Sequence, residues 1–205
     1  MNIHPMTVRA MAAGAAAVTA IAVLGACSDS DDATNEGHGS TASMSMPASS
    51  GTQDQAAHND ADVMFAQMMI PHHRQAVQMS DILLAKDGVP DDVRELAESI
   101  KSAQAPEIQQ LTGWLGAWGA PVEADMGGHH MDGMVSDADL AKLKSAPGED
   151  AAHLYLQQMI GHHEGAVKMA QTEIDDGQNP DAVAMARSIV DTQNKEIHSM
   201  KDMLG

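Results

Sequence analysis

The sequence predicts an all-α protein, a four-helix bundle built from two helical hairpins that are copies of one another. Two stretches, MMIPHHRQAVQM at 68–79 and QMIGHHEGAVKM at 158–169, place a His-His pair in matched surroundings. The segment after each pair also repeats, as QAPEI at 104–108 and QNKEI at 193–197. Duplicated helix pairs bury their apolar faces by packing one copy against the other, which makes a bundle the expected architecture.

Residues 1–27 are predicted to be an export signal rather than part of the fold. A short segment carrying Arg9 is followed by the apolar run MAAGAAAVTAIAVLGA and then by Cys27. This order is typical of a bacterial lipoprotein signal, in which Cys27 becomes the lipidated first residue of the mature chain. An uncleaved membrane anchor is the alternative, but the apolar run is short for a spanning helix. We therefore expect a lipid-anchored protein on the extracytoplasmic face of the cell membrane.

Residues 28–59 are rich in Ser, Ala, Gly, Asp and Thr and are predicted to be a disordered polar linker. The first hairpin follows over about 60–119, where apolar residues recur at helical spacing. Asn59 or Asp60 can cap its first helix, and Gly88 ends that helix. A second helix then opens after a proline, with acidic residues in its first turn, where the helix dipole favours them.

The connector at 120–149 contains Gly and Pro breaks and one short helical stretch, SDADLAKLKSA, which Ser136 can cap. The second hairpin is predicted over about 150–205 and repeats the pattern of the first. Together these segments form one duplicated four-helix domain over 60–205.

The composition excludes several function classes. The formal net charge is −18, with 29 acidic residues against 11 Lys and Arg, which argues against nucleic acid or an anionic membrane surface as partner. Cys27 is the only cysteine, so a soft metal site in the mature chain has to use the 17 methionines and 11 histidines. No HExxH, Glu-x-x-His or Gly-rich phosphate motif is present, and the sequence predicts no enzyme.

The histidine pairs lie on the inward face of their helices. Met69, His72 or His73, Ala76 and Met79 share one face at helical spacing, and the second copy matches them. Adjacent residues diverge by about 100° around a helix, so one histidine of each pair is expected to face inward. The other is expected at the rim or across the seam.

Pro71 precedes the first pair and Gly161 the second, and both weaken a helix. They predict either a bend that aims the imidazoles or, at Pro71, the start of a new helix. The sequence does not separate these alternatives.

Each partner helix supplies a Gln and a Glu three positions apart, Gln104 with Glu107 and Gln193 with Glu196. A buried glutamate needs a polar partner, and an inward histidine provides one. A metal-free core network of Gln, Glu and His is therefore one interpretation. Because the same set of His, Met and Glu occurs twice, we favour metal binding.

Imidazole suits copper, zinc, nickel and iron, whereas thioether selects Cu(I), so the combination favours copper. The connector adds MGGHHMDGM at 126–134, a tract of a kind that is typical of metal binding. The predicted ligands are His72, His73, Met69, Met79, His162, His163, Met159 and Met169, with a looser loop site of His129, His130, Met126, Met131 and Met134. The predicted outer set that orients the imidazoles is Gln104, Glu107, Gln193, Glu196 and His198.

These residues resemble a bacterial family catalogued as domain of unknown function 305, over roughly 60–205. Its pattern F…M…HH…A…M followed by Q..EI matches both copies, with Tyr155 in place of Phe65 in the second. The copies differ where Arg74 aligns with Glu164. The resemblance implies a ferritin-like four-helix fold, and in some members it is associated with extracytoplasmic copper binding and copper tolerance.

The predicted function is therefore Cu(I) buffering, tolerance or delivery outside the cytoplasm, with a copper-handling protein as a candidate partner. Two alternatives stay open. One is a metal-free structural or partner-binding lipoprotein, and the other is a ferritin-like redox enzyme.

Overall fold

The computed structural model describes residues 57–123 and 131–205. The predicted signal sequence, Cys27 and most of the linker lie outside the described residues. So do Met126, His129 and His130 of the connector tract.

Throughout the described ranges the regular structure is helical, and no strand occurs there. The helices are α1 (Asp60–Leu84), α2 (Asp91–Trp118), α3 (Asp137–Ser145), α4 (Gly148–Asp176) and α5 (Pro180–Leu204). Four long helices and one short connector helix confirm the all-α prediction. None of the described helices is both long enough and apolar enough to cross a membrane.

Local signals in the sequence set the helix ends. Asn59 caps α1 in a capping box with Asp62, and the Ser136 hydroxyl accepts the Asp139 N–H at the start of α3. The short helix predicted in the connector is therefore confirmed. α4 begins at Gly148, two residues before the predicted start of the second hairpin. The backbone of Gly88 lies so close to Gly148 that a Cβ atom at this position would overlap it.

Helix α1 continues through Pro71, and α4 continues through Gly161. The alternative in which Pro71 begins a new helix is therefore wrong. Proline leaves the Gln67 carbonyl without its helical N–H partner. The Gln67 side chain reaches across to donate to the Pro121 carbonyl at 2.8 Å.

Helices α1 and α2 pack as one hairpin, α4 and α5 as the other, and α1 meets α4 across the centre. The end of α1 lies beside the start of α4, where the Ser80 and Tyr155 hydroxyls are 2.9 Å apart. At the other end, Asp62 of α1 accepts the Asn179 N–H beyond α4 at 2.8 Å. The α1/α4 seam is therefore antiparallel, with the histidine pairs at its middle.

Candidate metal centre

All four paired histidines are buried. Their exposed fractions are 0% for His72, 0% for His73, 1% for His162 and 0% for His163. Of the two places expected for the second histidine of each pair, the seam is confirmed and the rim is wrong, because none of the four lies at the rim. One member of each pair faces the opposite copy, and the other faces the second helix of its own hairpin.

The His72 and His162 rings lie against each other across the α1/α4 seam. Their centroids are 3.7 Å apart and their planes differ by 36°. None of the four ring nitrogens makes a hydrogen bond of good geometry to the described residues, although the Asp132 backbone lies near His72. Buried polar atoms are normally paired, so this cluster of orphaned nitrogens requires a physical explanation.

Burial first, and then the neighbouring His73 and His163, lower the pKa of His72 to about 3, while the Asp132 backbone partly opposes the shift. Burial, followed by the nearby histidines, also holds the pKa of His162 well below its usual range. Both rings are therefore neutral at physiological pH. Neutral imidazole is the form that binds metal ions.

His73 and His163 turn toward the partner helices. His73 Nε2 lies 2.8 Å from Glu107 Oε2, and His163 Nε2 lies 2.8 Å from Glu196 Oε2. The predicted pairing of each glutamate with a histidine is confirmed. The carboxylate accepts the Nε2–H of each ring, and the Nδ1 of each ring has no partner among the described residues.

Gln104 and Gln193 are buried at 3% exposure each, and each carries a side-chain oxygen without a partner in the described structure. Together with Glu107 and Glu196 they line a cavity of about 10 Å³ between α2 and α5. These four residues of the predicted outer set therefore lie together.

The placement of His198 in that set is wrong. The His198 side chain is 81% exposed, and its Nε2 atom lies 3.6 Å from Asp202 Oδ2 on the surface. The neighbouring Ile197 takes the buried position, and one residue around a helix turns the side chain by about 100°.

The predicted thioether ligands occupy two kinds of place. Met79 and Met159 are fully buried in the apolar cluster around Tyr155, and Met69 is fully buried in the cluster around Phe65. Met169 is only partly buried and lines an open groove. The sequence did not distinguish these environments, because all four positions share the same helical spacing.

Residues 131–135, called the strap here, cross α4 over the buried histidines. The Gln75 side chain donates to the Val135 carbonyl at 2.9 Å and accepts the Val135 N–H at 2.7 Å. A Cβ atom on Gly165 would overlap the backbone of Asp132 and would lie 2.7 Å from Gly133 Cα. The strap therefore packs directly on the α4 backbone.

Met131 and Met134 of the predicted loop site lie in the strap, both partly buried. Sequence reasoning missed Gln75 and Gly165 as parts of the site. Gly165, two residues after the second histidine pair, was the available signal, because glycine lets another backbone approach closely.

The donor set fits a soft or borderline cation in its chemistry, since it offers neutral, buried imidazoles with free lone pairs. Over the two described ranges, however, no three His, Cys, Asp or Glu side chains converge on one ion position. What the fold brings together is one pair of facing imidazoles, flanked by two carboxylate-anchored imidazoles.

The chain matches the family model described as Domain of unknown function (DUF305) over residues 62–204. A comparison with curated proteins finds no relative.

Several solved structures are similar to this chain. A putative secreted DUF305 protein from Streptomyces coelicolor is 38% identical, with a TM-score of 0.66, and the match covers 70% of this chain and 90% of that one. A DUF305 fragment from Deinococcus radiodurans is 36% identical, with a TM-score of 0.65 and coverage of 72% and 97%. CopM in its Cu(I)-bound form is 31% identical, with a TM-score of 0.58 and coverage of 69% and 94%.

Proposed function

The chain belongs to the family described as Domain of unknown function (DUF305), and we propose that it binds copper, as Cu(I), at its buried histidines. The observation that carries the proposal is the facing pair of His72 and His162, whose four ring nitrogens are buried and lack hydrogen-bond partners in the described structure. The similarity to CopM, which has been solved in Cu(I)-bound, Cu(II)-bound and Ag-bound forms, supports it.

Energetics favour a ligand at this place. Leaving one buried polar atom unsatisfied costs about 1–3 kcal/mol, and a fold that orphans several such atoms at one point benefits from a cation there. The low pKa of His72, about 3, keeps its ring available as a ligand without competition from protons.

His73 and His163 are proposed as the flanking ligands, each oriented through Nε2 by its glutamate. Met69 and Met159 precede His72 and His162 by one helical turn and are the proposed soft co-ligands. Copper in this setting is cargo, held for buffering, tolerance or delivery, and the proposal assigns no catalytic step to the chain.

The test of this proposal is a Cu(I) competition titration of the purified protein against a chromogenic chelator. We expect the wild type to withdraw Cu(I) from the chelator and the double variant His72→Asn/His162→Asn to lose the tightest equivalent. The matched control is His153→Asn/His198→Asn, because both side chains are exposed. Unchanged binding by the His72/His162 variant, with native helicity by circular dichroism, would contradict the proposal.

A metal-free role is the second candidate, favoured by one observation. Over the described residues no set of three His, Cys, Asp or Glu side chains converges on one ion position, whereas each glutamate already satisfies a histidine. In that case the wild type would leave the chelator complex intact. A ferritin-like redox enzyme would instead show turnover by the copper-loaded protein that the double variant lacks.

We also propose that the protein is exported and lipid-anchored through Cys27. The support is the sequence order of a charged start, an apolar run and Leu-Gly-Ala-Cys. Metabolic labelling with an alkyne fatty acid should mark the wild type, and Cys27→Ser should abolish both the label and membrane fractionation. Labelling that survives Cys27→Ser would contradict the anchor.

A further inference from the structure

A groove of about 440 Å³ runs along the α1/α4 seam at the end where α1 begins. Three methionines line it, Met64 and Met68 from α1 and Met169 from α4. Met64 is 59% exposed, and it is the only large apolar side chain with such exposure among the described residues. These thioethers face open space instead of filling a gap in the core.

The two ends of the α1/α4 seam are related by the duplication, but they differ in what covers them. At the opposite end of the same seam, α3 packs over the equivalent surface with Leu143 fully buried, and Gln158 donates to the Asp139 carbonyl of α3 at 3.1 Å. In the alignment of the repeats, Gln158 corresponds to Met68 and Leu154 to Met64. The covered end therefore carries a leucine and an amide where the open end carries two thioethers.

Glu173 lies at the base of the groove and adds a polar atom to it. The residue is 1% exposed, and its protonated carboxyl donates a hydrogen bond to the Asp62 carboxylate. The repeat places Leu83 at the matching position, so the buried carboxyl is specific to this end. Gly177 leaves room for it, since a Cβ atom there would lie 2.6 Å from Glu173 Cδ.

Charge around the groove favours a cation. Asp60 and Asp176 stand at its edge, and no Lys or Arg lines it. In a chain of net charge −18, such a surface attracts positive ions. Thioethers in turn select soft monovalent cations over the hard cations that carboxylates alone would take.

We propose that the groove is a second cation site, in which Met64, Met68 and Met169 bind Cu(I) or Ag(I) through their thioethers, above the buried carboxyl of Glu173. Met64 and Met68 are four residues apart and so stand one above the other on α1, while Met169 approaches from α4. Methionine has three rotatable side-chain bonds, which lets the sulfur atoms converge on one ion. The site contains no imidazole, so cation binding there can be tested independently of the histidine site.

The test is a titration of the full-length protein, labelled with ¹³C at the methionine methyl groups, with Ag(I) as a redox-stable probe. We expect the methyl signals of Met64, Met68 and Met169 to shift together as one equivalent binds. The triple variant Met64→Leu/Met68→Leu/Met169→Leu preserves side-chain volume and should lose that equivalent.

Two control variants separate the outcomes. Met185→Leu/Met203→Leu removes two partly buried thioethers of α5 outside the groove and should keep the equivalent. His72→Asn/His162→Asn should keep the groove shifts, so loss of the histidine site and loss of the groove site are distinguishable. Unshifted groove methyls, or undiminished Ag(I) stoichiometry in the triple leucine variant, would overturn the proposal and leave the groove as an apolar surface.

Discussion

The imidazole of His72 shows how strongly burial controls a single residue in this protein. Fully buried between two helices and beside other histidines, it has a pKa of about 3, against an ordinary value of 6.5. In the unfolded chain His72 becomes protonated below about pH 6.5, whereas in the folded chain it becomes protonated only near pH 3. Proton uptake therefore favours the unfolded state across this window.

The stability of the metal-free protein should accordingly fall as the pH drops below 6.5. A single such histidine contributes a slope of about 1.4 kcal/mol per pH unit. We expect His72→Asn to flatten the loss between pH 6.5 and pH 5, measured by urea unfolding in the presence of a chelator. The exposed His153→Asn serves as control. Equal slopes in His72→Asn and wild type would contradict the neutral, buried imidazole.

Glu173 is expected to make the free energy of unfolding decrease as the pH rises, which is opposite to the effect of His72. Burial, together with the adjacent Asp62 carboxylate, raises the pKa of Glu173 from 4.5 to about 8. The folded chain thus keeps a proton that the unfolded chain has released, and its stabilising effect is lost as the pH rises toward 8.

We expect the free energy of unfolding to fall between pH 6.5 and pH 8 by about 1 kcal/mol per pH unit. In Glu173→Gln this fall should disappear, because the amide does not titrate. Urea unfolding at several pH values in this window measures it, and the difference between wild type and Glu173→Gln removes the proton uptake of the unfolded histidines near pH 6.5, which both proteins share. The same pH dependence in wild type and Glu173→Gln from pH 6.5 to pH 8 would count against the shift.

At the scale of elements, the packing of the strap at 131–135 depends on a position of α4 that has no side chain. Gly165 lets the backbone of Asp132 and Gly133 lie directly on the helix, and Gln75 holds Val135 with two hydrogen bonds. Gly161, four residues earlier, has free space where a Cβ atom would stand. The two glycines therefore differ in function although the sequence presents them alike.

Gly165→Ala should destabilise the protein by about 1–3 kcal/mol, since the new methyl group meets backbone atoms that a rotamer change cannot move. Gly161→Ala should be neutral or stabilising by up to about 1 kcal/mol, because alanine is the better helix former. Thermal or urea unfolding of both variants makes the comparison. Equal effects of the two substitutions would show that the strap does not lie on α4 at Gly165.

At the scale of the whole molecule, the duplicated halves meet through unequal contacts at the two ends of the seam. At one end the Tyr155 hydroxyl lies 2.9 Å from the Ser80 hydroxyl, and Ser80 also donates to the Ala76 carbonyl. At the other end the repeat places Phe65 and Ala170, both buried in an apolar cluster. The pair of hydroxyl groups therefore occurs at one end of the seam, and apolar residues take its place at the other end.

Tyr155→Phe should cost about 1 kcal/mol, the usual net value of a hydrogen bond, because Ser80 keeps its bond to Ala76. Phe65→Tyr, the reciprocal change, should cost more, about 1–3 kcal/mol, since Ala170 occupies the repeat position of Ser80 and offers the new hydroxyl no partner. Chemical unfolding of the two variants measures both values. A smaller cost for Phe65→Tyr than for Tyr155→Phe would contradict the asymmetry.

The sequence by itself determined the helical class, the duplication, the Asn59 and Ser136 caps and the pairing of Glu107 and Glu196 with histidines. These features follow from helical periodicity and short-range capping chemistry, which depend only on neighbouring residues. The sequence could also place both histidine pairs on an inward face. It did not indicate that all four rings are buried, because that depends on how three helices surround each pair.

Only the tertiary structure decided that His72 meets His162, that the strap lies on Gly165, and that His198 points to solvent. It also separated Met79, buried in the core, from Met169, which lines an open groove, although the repeat aligns the two positions. The physical reason is that α3 covers one end of the α1/α4 seam and not the other. A repeated sequence specifies equivalent helices, but the surroundings of each helix depend on segments distant in the chain.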